Sequence, residues 1–346
     1  MFPISTIISL ILFPLGFYVL IKGADWLVNG ASGIAKRLNI SELVIGLTIV
    51  AFGTSLPELF VNVIASSNGN TDLAIGNILG SNISNILLIL GVCAVIYPLS
   101  ISKGTIWKEI PLNLLSVGVL FTLANDQLID GAGSSILSRI DGIVLMAFFI
   151  IFLYYTFGIR KDQQVVDEES MPGRKEESRE KDRSLKKDIL LILAGVITLP
   201  IGGQLVINGA MTITSFLGLS ESFVGLTLVA LGTSAPELAT SAVATYKRNA
   251  NIAIGNIVGS NLFNIFWVLG LSAVIRPLPV NPAQNIDLLV VAIATALLFM
   301  FIAIKNSEER WWVFKIKREN HLLSRTEGIL FLILYAVYVG FLIWRG

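Results

Sequence analysis

The sequence predicts an all-α integral membrane fold of ten transmembrane helices, arranged as two inverted five-helix repeats. Three observations carry this expectation: the composition, the spacing of the apolar runs, and a long internal self-similarity. Apolar residues make up 54% of the 346 positions and charged residues only 14%, against roughly a quarter charged in an ordinary soluble domain. Mean hydropathy is +0.77. A water-soluble protein of this length has nowhere to hide that much apolar surface, whereas lipid solvates it. The single cysteine, Cys93, and single histidine, His321, exclude a disulfide framework and a Cys/His metal cluster.

A membrane span needs roughly 20 mostly apolar residues. Such runs fall at 5–30, 41–66, 72–97, 106–124 and 140–158, then at 188–213, 221–245, 251–276, 286–304 and 326–344. The first run starts without a basic stretch before it or a small-residue cleavage site after it, so it reads as a span and not as a signal peptide. The basic residues orient the set. With the N-terminus outside, 21 Lys and Arg fall in inside loops and three (Arg139, Arg276, Arg345) outside, the asymmetry the positive-inside rule describes. The expectation is a multi-pass protein of the cell membrane, surrounded by lipid, with both termini outside.

Between the two bundles, residues 160–187 mix both charge signs around a Pro-Gly pair and read as a solvated cytoplasmic linker. That division gives a first repeat at 1–159 and a second at 188–346. A second basic loop sets Trp311, Trp312 and Phe314 beside Lys315, Lys317 and Arg318, a composition that suits the membrane interface. His321 reads as a surface residue of that loop.

The internal repeat is the strongest signal. A shift of 179 residues lays Gly23–Leu99 on Gly202–Leu278 without a gap, with 38 of 77 positions identical. GLTIVAFGTSLPEL (46–59) matches GLTLVALGTSAPEL (225–238), and AIGNILGSNISNI (74–86) matches AIGNIVGSNLFNI (253–265). Five spans separate the copies, so the second crosses the membrane in the opposite direction. Inverted repeats of this kind build secondary transporters, whose substrate site lies near the midplane where the halves meet.

The polar residues of the repeat sit mid-span. Glu58 and Glu237 have no Lys or Arg at comparable depth, and a carboxylate there costs at least about 2.5–3.5 kcal/mol on insertion scales. Its partner has to be a cation from solution or a proton. The neighbours are oxygen donors: Thr54, Ser55 and Asn62 beside Glu58, and Thr233, Ser234 and Ser241 beside Glu237. On the next helix Asn77, Ser81 and Asn85 form a stripe that Asn256, Ser260 and Asn264 repeat. Pro57 and Pro236 free the carbonyls of Gly53 and Gly232, and Gly76, Gly80, Gly255 and Gly259 have the spacing of close helix packing. Oxygen ligands without sulfur or imidazole suit a hard cation such as Ca²⁺ or Na⁺. Asn77, Asn82, Asn256 and Asn261 read equally as ligands or as interhelical glue. Asp25, whose counterpart is Gln204, reads as a gating or packing residue, and Cys93 as core.

At GTSLPE (53–58), GTSAPE (232–237), GSNISN (80–85) and GSNLFN (259–264) the chain resembles the sodium/calcium exchanger family, prokaryotic type, within the cation/calcium antiporter superfamily. The resemblance implies a Na⁺/Ca²⁺ antiporter working by alternating access. It places acidic ligands at Glu58 and Glu237 and hydroxyl ligands at Thr54, Ser55, Ser81, Thr233, Ser234 and Ser260. Backbone carbonyls fall at Ala51 and Ala230, and amide ligands at Asn85 and Asn264. It also implies long first and sixth helices that slide past a four-helix core. Asn at both amide positions argues against a potassium site. The alternative activity is Ca²⁺/H⁺ antiport through the same glutamates, with a cation channel or an intramembrane enzyme behind it. No cofactor, catalytic residue or nucleic-acid partner is expected, and the chain is expected to function as a monomer.

Overall fold

The computed structural model describes residues 4–101, 103–158, 184–216, 230–303 and 322–345. Of the linker expected at 160–187, residues 160–183 lie outside the described residues and 185–187 already belong to a helix; the interfacial segment with Trp311 and His321 and the start of the seventh span at 221–229 also lie outside the described residues. The described residues are almost wholly helical. The first half runs α1 (Ile4–Leu38), α2 (Glu42–Thr54), α3 (Leu56–Asn68), α4 (Thr71–Ile96), α5 (Gly104–Leu123) and α6 (Arg139–Gly158). The second runs α7 (Leu185–Phe216), α8 (Ala230–Thr233), α9 (Ala235–Tyr246), α10 (Ala250–Ile275), α11 (Gln284–Ala303) and α12 (Arg325–Arg345). Among the described residues seven helices are long and apolar enough to span a membrane, and the bent α2–α3 pair makes an eighth.

Two differences from the sequence expectation concern these helices. The first and sixth spans are longer than 5–30 and 188–213: α1 covers 35 residues and α7 covers 32. The glycine-rich second half of α1 stays helical against protein, with Ala24, Leu27, Val28, Ala31 and Ala35 buried. The second span, expected as one helix, breaks at Ser55, where ψ is 10°, and its two pieces are bent by 47°. Thr54 and Glu58 therefore belong to different helices, not to one continuous face. Pro57 lies in the first turn of α3, where its missing N–H costs nothing, so it starts a new helix instead of kinking an old one. Ser234 repeats the break between α8 and α9 with ψ of 3°.

The inverted arrangement is visible in how α1 meets α7. An added Cβ at Gly16 would touch Val206, at Gly23 Leu199 and at Gly30 Ile192, so the register falls on one helix as it rises on the other. The pair is antiparallel. Gly195, Gly202 and Gly209 of α7 meet Gly23, Leu20 and Phe13 in the same way. Both sets recur every seven residues, so each helix lays a bare stripe of backbone along the other.

The buried centre is α4 and α10, 78% and 83% of whose apolar windows are enclosed, against 17% for α12. Each half closes over the other: Gly142 of α6 packs on the Gly270 carbonyl of α10, and Gly328 of α12 packs on the Gly91 carbonyl of α4. Two short antiparallel ladders join the halves. Strand β1 (Leu99–Ser100) pairs with β4 (Leu322–Leu323), Leu99 opposite Leu323. Strand β2 (Ile136–Leu137) pairs with β3 (Leu278–Pro279), Leu137 opposite Leu278. Matching caps start the last helix of each half: Ser138 donates to Asp141 Oδ2 through N (2.8 Å) and Oγ (2.7 Å), and Ser324 to Glu327 Oε2 (2.7 and 2.9 Å).

Candidate ion site

Glu58 lies in the first turn of α3 and Glu237 in the first turn of α9, where unsatisfied backbone N–H groups favour a carboxylate. Both are buried, at 0% and 1% exposure. A buried carboxylate is costly unless it is paired, yet among the described residues neither glutamate makes an ion pair. Glu58 Oε1 accepts the Ser81 hydroxyl at 3.4 Å. Glu237 Oε1 accepts from Ser55 at 2.7 Å and from Ser260 at 3.5 Å. The second oxygen of each, Oε2, finds no hydrogen-bond partner among the described residues.

The helix break is what brings Ser55 of the first repeat onto the carboxylate of the second. Sequence reasoning grouped Ser55 with Glu58, its neighbour in the chain. Ser234, its counterpart, is buried with an unpartnered hydroxyl. The two halves therefore hold their glutamates unequally.

The helix-4 and helix-10 asparagines form two networks. In the first, the Thr54 hydroxyl donates to Asn256 Oδ1 (3.0 Å), whose Nδ2 donates to Ser241 (3.0 Å). The inverted copy runs from Thr233 to Asn77 Oδ1 (3.4 Å) and from Asn77 Nδ2 to Asn62 Oδ1 (2.7 Å). Asn77 and Asn256 thus tie neighbouring helices together across the two repeats. In the second network, Asn85 Nδ2 donates to Asn261 Oδ1 (2.9 Å), and Asn264 Nδ2 donates to Asn82 Oδ1 (3.1 Å). This leaves Asn85 Oδ1 and Asn264 Oδ1 buried without partners.

Both of those asparagines sit in π-helical turns, Ser84–Ile89 and Phe263–Leu269. One residue more per turn frees backbone groups and re-aims side chains, and such turns recur at functional sites. Sequence reasoning missed them, since apolar periodicity in a helix buried all round does not register a single extra residue. Ala51 is buried, and its carbonyl accepts the Ser55 N–H (3.0 Å) and lies 3.3 Å from Thr54 Oγ1. Ala230 opens the described part of α8.

Close packing supports the cage. At Gly255 and Gly259 an added Cβ would lie 2.7 Å from the Leu43 carbonyl and 2.6 Å from the Leu47 carbonyl, so α10 presses directly on α2. The residue that would face Gly76 by repeat symmetry is Gly225, outside the described residues. Among the described residues no three His, Cys, Asp or Glu converge. A cation here has to complete its shell from amide, hydroxyl and carbonyl oxygens.

Known proteins resemble the chain in sequence and in fold. The family model described as sodium/calcium exchanger protein matches residues 8–158 and 187–344. A putative antiporter, CaxA, from Alkalimonas amylolytica is 38% identical over 323 residues, covering 93% of this chain and 95% of its own. The sodium/calcium exchanger MaX1 of Methanosarcina acetivorans is 30% identical over 328 residues, covering 88% of this chain and 94% of its own. The structure of the sodium-calcium exchanger NCX_Mj soaked with 10 mM Na⁺ and zero Ca²⁺ superimposes with a TM-score of 0.77 at 32% identity, covering 97% of this chain and 99% of that one. With a family match across both halves and relatives aligned over nearly its whole length, this multi-pass membrane chain belongs to the sodium/calcium exchanger family.

Proposed function

We propose that the chain exchanges Ca²⁺ for Na⁺ across the membrane by alternating access, with both ions taken in turn by the cage around Glu58 and Glu237. The observation that carries this reading is a set of four buried side-chain oxygens without donors: Oε2 of Glu58 and Glu237, and Oδ1 of Asn85 and Asn264. Four acceptors with no donor are a cost to the protein alone. A cation removes that cost. Ca²⁺ takes about 6–8 oxygens in flexible geometry, and the hydroxyls of Thr54, Ser55, Ser81, Thr233, Ser234 and Ser260 and the carbonyls of Ala51 and Ala230 extend the set.

Two carboxylates balance one divalent ion or several monovalent ones. Without either, they stand bare in a low-dielectric interior, which disfavours crossing with an empty site and couples the two fluxes. The antiparallel glycine stripes hold α1 and α7 tightly to each other, so that the two would slide past the core as one unit. The reading places both termini outside and the segment 160–187 in the cytoplasm, supported by the bias of the basic residues.

The test is Ca²⁺ uptake into proteoliposomes with Na⁺ and pH gradients imposed separately. An outward Na⁺ gradient at symmetric pH is expected to drive uptake. Uptake driven by a pH gradient alone would replace Na⁺ with H⁺ as the coupling ion.

A further inference from the structure

Asn82 is not among the ligands proposed above, yet it stands where the two repeats join. Asn82, Asn261 and Asn264 are all fully buried. Asn82 Nδ2 donates to the backbone carbonyl of Asn261 at 3.3 Å, and its Oδ1 accepts from Asn264 Nδ2 at 3.1 Å. A primary amide has a donor end and an acceptor end, and its neighbours decide which way it points. A backbone carbonyl can only accept. Contact with Asn261 therefore commits the Asn82 amide to one orientation, because the reverse would set oxygen against oxygen.

With its Nδ2 so committed, Asn82 turns an acceptor toward Asn264. Asn264 answers with Nδ2, and its Oδ1 is the end left buried and unpartnered. The other arm has no such anchor: Asn85 Nδ2 donates to Asn261 Oδ1 at 2.9 Å, but Asn261 Nδ2 has no partner.

We infer that Asn82 is a positioning residue, which fixes the Asn264 amide so that its oxygen, and not its NH₂ group, is offered to the transported cation. This rests on the ion-binding reading above and adds the group that enforces it. A reversed Asn264 would aim two N–H bonds at a cation.

A carboxylate at position 264 distinguishes this role from packing, since it offers oxygen at both ends and has no wrong orientation. Wild type, Asn82→Ala, Asn264→Asp and the double variant are reconstituted, and the Ca²⁺ concentration for half-maximal Na⁺-driven uptake is measured for each. Asn82→Ala is expected to raise that concentration about tenfold in the otherwise wild-type protein, the worth of one ligand bond. In the Asn264→Asp background the rise should be less than about twofold, each against its own reference. Should Asn82→Ala not elute as a single species on gel filtration, Asn82→Ser is read in the same two backgrounds, its hydroxyl being too short to span both contacts. Equal rises in the two backgrounds, or none in the first, would overturn the inference while leaving exchange intact. A wild type without Na⁺-driven uptake would overturn the exchange reading and this one with it.

Discussion

Gly259 offers the sharpest perturbation of the cage. A methyl group there would fall 2.6 Å from the Leu47 carbonyl oxygen and 2.8 Å from both Leu47 Cα and Ala51 Cβ. None of these is the end of a flexible side chain, so the helices themselves must part. Ordinary contact begins near 3.4 Å, which asks α2 to retreat from α10 by about 0.8 Å. Overpacking of this kind costs about 1–3 kcal/mol. The functional effect follows from where the strain falls. Ser260 is the next residue on α10, and Ala51 and Thr54 lie on the helix being pushed away. Ca²⁺–oxygen bonds span only about 2.3–2.6 Å, so a displacement of about 0.8 Å removes a ligand from one side of the cage. Gly259→Ala should therefore lower the melting temperature in detergent and raise the Ca²⁺ needed for half-maximal uptake by about tenfold, the worth of about 1.4 kcal/mol. Gly118→Ala is the control: this exposed helical glycine has nothing within 4 Å of an added Cβ, and alanine favours the helix by about 0.5–1 kcal/mol. A Gly259→Ala protein with unchanged melting temperature and unchanged Ca²⁺ dependence would refute the argument that α2 and α10 set the ligand distances.

Two further predictions concern charge. Glu58→Gln and Glu237→Gln should each yield folded protein, because the amide is nearly isosteric and its oxygen can still accept the Ser81 or Ser55 hydroxyl. Each should lose Ca²⁺ transport, since one carboxylate does not balance a divalent ion; near-normal uptake in either variant would make that glutamate structural. Lys247 pairs with Asp25 of α1 and donates to Asn29 Oδ1 at 2.6 Å, fastening α1 to the turn after α9. Both charged side chains are about a third exposed, so a thermal double-mutant cycle of Asp25→Asn with Lys247→Met should show coupling of about 0.2–1 kcal/mol. Strict additivity of the two changes would mean that the pair does not hold α1.

By itself the sequence determined the membrane class, the offset of 179 residues between the halves, and the burial of Glu58 and Glu237 without basic partners. These are legible because hydropathy is a property of each residue against its solvent, and because duplicated Gly, Thr, Pro, Glu and Asn at one offset leave little room for coincidence. The tertiary structure alone decided how the duplicated residues are used. Pro57 marked a place where a backbone N–H is missing, but a proline in a first turn and a proline inside a helix read alike until the break at Ser55 is seen. The seven-residue glycine stripes of α1 and α7 acquire meaning only when the two helices are found antiparallel and in contact. The bond from Ser55 to Glu237 joins residues 182 positions apart, and the Asn82 amide takes its orientation from a carbonyl 179 positions away. Periodicity reports which face of a helix avoids water. It carries no record of which donor on a distant helix will meet which acceptor, and here those long-range pairings decide which buried oxygens are left without a donor.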